Sequence, residues 1–232
     1  AFREVALYLN NAESLEKVPE NLKELVKPIE MVIARIDARL RDARGGQSVD
    51  YGAVEREVLE GLAAVARGAH GLMLGALEVN APRVRIEGKT YSRVGREVGT
   101  YYTMWGPVAV ERALYRDDGC RNGKTVDALS LRTGAIGCGW LPEAATAMAH
   151  LLQQGTSREG HTTARQFGQL PYSRASFERV PHELAEQYLP QQADIEDELI
   201  QELEIPTETR SISLALDRVS VPMEEPRKRP VG

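Results

Sequence analysis

The 232-residue chain is 42% hydrophobic and 27% charged, with 29 Lys and Arg against 34 Asp and Glu and a formal net charge of -5. This composition excludes a disordered tail and a uniformly basic nucleic-acid binder, so any grip on a polyanion must come from local patches. Cys120 and Cys138 lie far apart and outside any CxxC pair, against a zinc module or a disulfide-stapled secreted scaffold, and no apolar run reaches the roughly 18 residues of a membrane span, so a soluble, cytoplasmic protein is expected.

From Glu20 to Asp42, Leu22, Val26, Ile29, Ile33, Ile36 and Leu40 alternate steps of four and three, which places them on one helical stripe. Pro28 lacks a backbone donor and kinks or restarts this helix. After Arg44-Gly45-Gly46-Gln47, a second helix from Tyr51 to Glu78 repeats the spacing through Val54, Val58, Leu62, Val65, Ala69, Leu72, Ala76 and Val79. An antiparallel hairpin follows, either a local packing unit or a self-association surface that makes the protein a homo-oligomer.

Between Arg83 and Arg116 the period falls to two, with Val84 and Ile86 and then Val108, Val110 and Leu114 as the apolar positions and Trp105-Gly106-Pro107 as a break. A small antiparallel sheet is predicted. Its Arg83, Arg85, Arg93, Arg96, Arg112 and Arg116, interleaved with Tyr91, Tyr101, Tyr102, Tyr115 and Trp105, are either phosphate and base contacts or a solvated strand face. Asp117 to Gly139, rich in glycine and without periodicity, reads as a connector.

Helices return at Leu141, with Pro142 in a first turn and Ala144, Ala145, Ala147, Met148, Leu151 and Leu152 on the apolar side. Thr156 or Ser157 caps the next helix, which ends at Gly168 and Pro171, and Ser173 caps a third, with Phe177, Val180, Leu184 and Tyr188 inward. Two short helices around a glycine-containing turn have the shape of a helix-turn-helix, whose second helix reads bases in the major groove. Arg174 and Arg179 are its candidate base or phosphate contacts, with Ser173 and Ser176 positioning the backbone, and Arg158, Arg165 and Tyr172 complete the set. Pro181 is expected to kink or shorten the reading helix. Asp194 to Glu208 carries seven acids and no base, so it is a solvated helix face that cannot lie on a phosphate backbone.

In the last segment, Ile212, Leu214 and Leu216 alternate with Ser213, Ala215 and Asp217. An apolar strand with one carboxylate in its middle is the pattern of a turn residue, an ion-pair partner or a ligand for a divalent metal.

Three segments, Trp105 to Arg116 (WGPVAVERALYR), Leu170 to Arg179 (LPYSRASFER) and Leu216 to Pro226 (LDRVSVPMEEP), resemble the ISKra family of insertion-sequence transposases, in the family's order and over roughly Val94 to Gly232. The resemblance implies a DDE-type transposase with a ribonuclease H-like catalytic domain, preceded by regions that bind double-stranded DNA at transposon ends and assemble the protein on them. It makes Asp217 the first catalytic and metal-binding carboxylate, with Mg2+ the cofactor of the complete enzyme, and Leu170 to Arg179 the turn and second helix of the DNA-binding unit. Glu224 and Glu225 lie too close to Asp217 to be its partners, so this chain is expected to be an N-terminal part that does not cut DNA alone. A nonenzymatic, transposase-derived DNA-binding regulator is the alternative.

The expected fold is α+β and mainly α. Residues 1–80 form a helical hairpin, 81–139 a small β unit and connector, 140–208 a helix-turn-helix-like region, and 209–232 the start of the ribonuclease H-like domain. The setting expected is the bacterial cytoplasm, nucleoid-associated when bound to DNA.

Overall fold

The computed structural model describes residues 22–202, Arg121 excepted. Asp217 and the strand expected around it lie outside the described residues. The fold is α+β and mainly helical, with one small antiparallel sheet. The chain divides into two compact units at Leu189/Pro190; the described part of the second is helix α7 (Gln192–Glu202), whose Asp194, Glu196, Asp197 and Glu198 face solvent. Among the described residues no helix is long and apolar enough to cross a membrane.

The first unit opens with α1 (Lys23–Arg44) and α2 (Tyr51–Leu77), an antiparallel hairpin in which Asp50 caps α2 by accepting from the Ala53 amide at 3.2 Å. The stripe the heptad spacing predicts is covered in part: Val26, Ile33 and Ile36 are partly buried, while Leu22, Ile29 and Leu40 are 36–40% exposed. Leu25 and Val32 also turn toward α2, because Gly68 and Gly61 leave notches there. A Cβ on Gly61 would stand 2.5 Å from Val32 Cγ2, and one on Gly68 would stand 2.9 Å from Leu25 Cδ2. Missing side chains let the two backbones approach, and that approach chooses the contact face. Ion pairs Arg39–Glu57 and Arg35–Glu60 flank it.

The sheet runs in the order β1 (Arg83–Ile86), β2 (Lys89–Thr103), β3 (Gly106–Asp117) and β4 (Val126–Asp127), each strand antiparallel to the next. Glu87-Gly88 makes a tight turn with both residues at positive φ, as a two-residue hairpin requires. Val94 forms a bulge where the β2–β3 register slips between Arg93 and Gly95. Leu74 of α2 packs with Tyr101, Val108, Val110 and Leu129. The Tyr115 hydroxyl, fully buried, donates to the carbonyls of Val79 and Ala81 at 2.6 and 3.0 Å, which ties β3 to the end of α2.

The glycine-rich segment expected as a connector carries structure. Asp127 ends β4 and caps α3 (Ala128–Thr133), accepting from the Leu129 amide at 2.9 Å. Its other oxygen, Oδ2, gathers three donors at 2.6 Å: the Tyr101 hydroxyl, the Ser130 hydroxyl and an Arg112 nitrogen. Burial alone pushes the Asp127 carboxyl up, but the Ser130 and Tyr101 hydroxyls, the Ser130 amide and the Arg112 charge together hold it below the usual aspartate range. Burial and the carboxylate push Tyr101 up to about 12. The loop then returns to the sheet, where Tyr102 donates to the Gly139 carbonyl at 2.9 Å and Leu141 to that of Tyr102 at 3.0 Å. Gly139 admits no side chain, since φ is +115° and a Cβ would stand 2.5 Å from the Thr100 carbonyl oxygen.

The network dictates an acid dependence. A depressed folded pKa contributes stability that is complete above the ordinary aspartate value near 4 and is lost as the pH falls through the folded value. Asp127→Asn is therefore expected to lower unfolding free energy by about 1–3 kcal/mol at pH 7, because Tyr101, Ser130 and Arg112 lose their shared charged acceptor and Arg112 keeps only Glu97. In urea titrations the gap between variant and wild type narrows as the pH drops below about 4; a gap independent of pH would remove the carboxylate's role.

Candidate nucleic-acid interface

Helices α4 (Pro142–Gln153), α5 (Ser157–Gln166) and α6 (Arg174–Tyr188) pack around Ala144, Ala145, Met148, Ala164, Leu170, Phe177 and Val180. Each start has a local cause. Pro142 supplies the fixed φ of a first turn in α4. Thr156 and Glu159 form a reciprocal capping box at α5, which also holds the Glu159 carboxyl below its ordinary range. Ser173 accepts from the Ser176 amide at α6, and the two hydroxyls lie 3.1 Å apart.

The α5–α6 connection, residues 167–173, is longer than the turn of roughly three or four residues in the simplest helix-turn-helix. Gly168 ends α5 in the left-handed region at φ +66°, and the amides of Phe167, Gly168 and Gln169 close its last carbonyls. Leu170 also has positive φ, +50°, although it is only 2% exposed. Such a conformation costs on the order of 1–3 kcal/mol, offset by its burial and by the hydrogen bond from its amide to the Met104 carbonyl at 2.8 Å.

The residues singled out from sequence separate into three groups. Tyr172 is half-buried, and its ring meets Trp140 and Tyr102 edge-on at 4.6 and 5.7 Å. Its hydroxyl donates to the Thr103 carbonyl, and burial holds its pKa well above the ordinary tyrosine value. It therefore positions the turn from within. Ser173 and Ser176 are occupied by the α6 cap, leaving Arg158, Arg165, Arg174 and Arg179 exposed on the outer faces of the two helices.

Arg174 and Arg179 differ from the other pair in having partners. Arg174 Nε lies 3.1 Å from both Ser157 Oγ and Glu178 Oε1, and the Ser157 hydroxyl donates to the same carboxylate at 2.7 Å. That hydroxyl, followed by Arg174, holds the Glu178 carboxyl below its usual range despite the opposing effect of desolvation. Arg179 pairs with Glu183 at 3.4 Å. Exposed i,i+4 pairs of this kind are weak, about 0.3–0.5 kcal/mol each, so a phosphate can displace either carboxylate. Among the described residues no carboxylate pairs with Arg158 or Arg165.

Two other expectations change. Helix α6 runs past Pro181 to Tyr188, and Tyr188 is 54% exposed instead of inward-facing. Three of the sheet's five aromatic residues are not available as base-stacking platforms: Tyr101 and Tyr115 are fully buried and Tyr102 stacks on Trp140 at 4.4 Å, while Tyr91 and Trp105 are partly buried. Several of its arginines have partners as well, Arg96 with Glu111, Arg112 with Glu97 and Asp127, and Arg83 with Asp118.

Among the described residues no three His, Cys, Asp or Glu side chains converge to hold a metal ion. No protein-family model matches this chain, and no curated protein or solved structure matches it.

The inward role of Tyr172 has a measurable consequence. Tyr172→Phe is expected to lower thermal or urea stability by about 1–2 kcal/mol, because the buried Thr103 carbonyl loses its donor. An unchanged midpoint would show that the hydroxyl does not anchor the turn.

Proposed function

We propose that this chain is the DNA-binding and assembly part of an insertion-sequence transposase similar to the ISKra family, and that it binds double-stranded transposon-end DNA through α5, the 167–173 turn and α6. The observation that carries the reading is the three-helix unit, in which a capped helix, a left-handed glycine turn and a second capped helix present four arginines outward over one buried core. Helix-turn-helix units enter the major groove with the first residues of the second helix, where Arg174 and Arg179 stand. Over this stretch the four arginines are matched by Glu159, Glu178, Glu183 and Glu186, so the reading rests on where the arginines face and not on a local charge excess.

In the complete enzyme, Asp217 is a catalytic carboxylate on the first strand of a ribonuclease H-like domain and a ligand of Mg2+. When bound, Mg2+ would supply Lewis acidity for phosphoryl transfer, with Asp217 among the residues that would hold it. Self-association through the α1–α2 hairpin, where Leu22, Ile29 and Leu40 remain partly exposed, makes the protein a homo-oligomer, working in the bacterial cytoplasm on the nucleoid.

Two measurements test the proposal. Replacing Arg174 and Arg179 by Gln is expected to weaken binding to the element's ends; a base-reading arginine costs about 1–3 kcal/mol and relaxes specificity at its position. Unchanged affinity and specificity would take the reading role away from α6. In a longer chain carrying the rest of the nuclease domain, Asp217→Ala is expected to abolish strand cleavage while DNA binding persists. Cleavage at the wild-type rate would remove the metal assignment, whereas a longer chain that binds the ends and never cleaves them would favour the nonenzymatic regulator.

A further inference from the structure

We infer that His161, Arg165 and Gln169 form a site for a backbone phosphate of duplex DNA, in a cleft at the turn between α5 and α6. The inference rests on the reading of α5–α6 as a DNA-binding unit and deepens it, by dividing the work between the two helices.

The cleft has a volume of about 380 Å³ and is lined by His161, Arg165, Gly168, Gln169, Pro171 and Tyr172. None of these is acidic, in a chain where acids outnumber bases 34 to 29. Three lining side chains carry polar groups suited to an anion, and among the described residues neither Arg165 nor Gln169 uses its side chain in a hydrogen bond or ion pair, nor does the His161 imidazole. His161 is held by its ring alone, edge-on to the fully buried Phe177 at a centroid distance of 5.8 Å. The remaining walls do not compete for an anion: Pro171 has no amide proton, and the Tyr172 hydroxyl is committed to Thr103.

Backbone groups nearby are also satisfied. The carbonyls of Thr163, Ala164 and Arg165 accept from the amides of Phe167, Gln169 and Gly168, so the negative end of α5 is closed and the three side chains are free to turn outward. A phosphate oxygen matches them chemically: the guanidinium offers a planar fork, while the imidazole and carboxamide add single donors. Arg158 stands on the same stripe of α5, seven residues before Arg165 and on the order of 10 Å away along the axis, and extends the track. Arg174 and Arg179 differ because a phosphate there must first displace Glu178 or Glu183. Salt-sensitive, sequence-independent affinity is therefore assigned to α5, and base reading to α6.

The test measures duplex binding by the full chain against salt concentration, using transposon-end DNA and a random duplex, with inorganic phosphate as a separate probe. Arg165→Gln is expected to weaken both duplexes about tenfold and to lower the slope of log K against log salt by about 0.9. His161→Gln and Gln169→Ala are each expected to weaken both by about threefold, with the preference for the end sequence unchanged. Arg44→Gln, on α1, removes the same charge and is expected to leave affinity and slope alone; circular dichroism checks that each variant folds. If Arg165→Gln and His161→Gln bind with wild-type slope and affinity while the Arg174 and Arg179 variants weaken, the cleft is excluded and the α6 reading stands. If wild-type protein binds neither duplex, both fall. If phosphate binding is lost in Arg165→Gln while duplex binding is intact, the cleft takes a free anion and the backbone assignment is overturned.

Discussion

The candidate DNA-binding unit depends on a clamp between two turns. The tight turn between β2 and β3 offers the carbonyls of Thr103 and Met104, and the turn between α5 and α6 meets them with the Tyr172 hydroxyl and the Leu170 amide. Thr103 is itself 1% exposed and stitches its own turn, donating to the Gly106 carbonyl at 2.9 Å and accepting from the Trp105 amide at 3.0 Å. Trp140 closes the junction, stacked on Tyr102 and edge-on to Tyr172. Aromatic contacts in a dry setting are geometrically selective, so the junction fixes orientation as well as proximity. A leucine in left-handed conformation persists only because this surrounding structure over-determines it.

That clamp explains how a turn longer than the simplest kind can still hold two helices in a fixed relation. The outer faces of α5 and α6 carry the exposed arginines, while the inner faces are committed to Ala164, Phe177 and Val180. Ser157 and Glu178 add a second tie across the pair, with Arg174 laid over it. The small sheet thus serves as the platform for the helical unit, and its own charge network, centred on Asp127, keeps β2, β3 and α3 together. A protein of net negative charge presents its bases where two helices share one rigid support.

Some of the site was legible from residue order alone. The Thr156-Ser-Arg-Glu159 pattern spells a capping box, Ser173 a cap, and Gly168 followed by Pro171 a turn, each because the local backbone needs that side chain or that φ. Charge marks Arg165 in the sequence and leaves His161 and Gln169 unmarked as its companions. Their spacing of four residues was the available signal, but only the turn beyond Gly168 brings Gln169 back beside the helix. Tyr172 stood among polar neighbours and read as surface, and no local pattern encodes the Thr103 carbonyl waiting for it.

Residue order by itself carried most of the elements: two long helices, an alternating β unit, a helix begun by proline, two capped helices and an acidic stretch, though not β4 and α3. Propensity, periodicity and capping act over a few residues, and the chain carries that information in order. Only the tertiary structure decided which faces are used. Val32 rather than Ile29 meets α2 because Gly61 lies opposite it, Tyr101 and Tyr115 are buried because α2 and α3 pack over the sheet, and Asp127 becomes a hub because Arg112 reaches it across the strand pair. Each of these outcomes depends on a partner distant in the chain, and burial is a property of the pair, which neither residue's neighbours can specify.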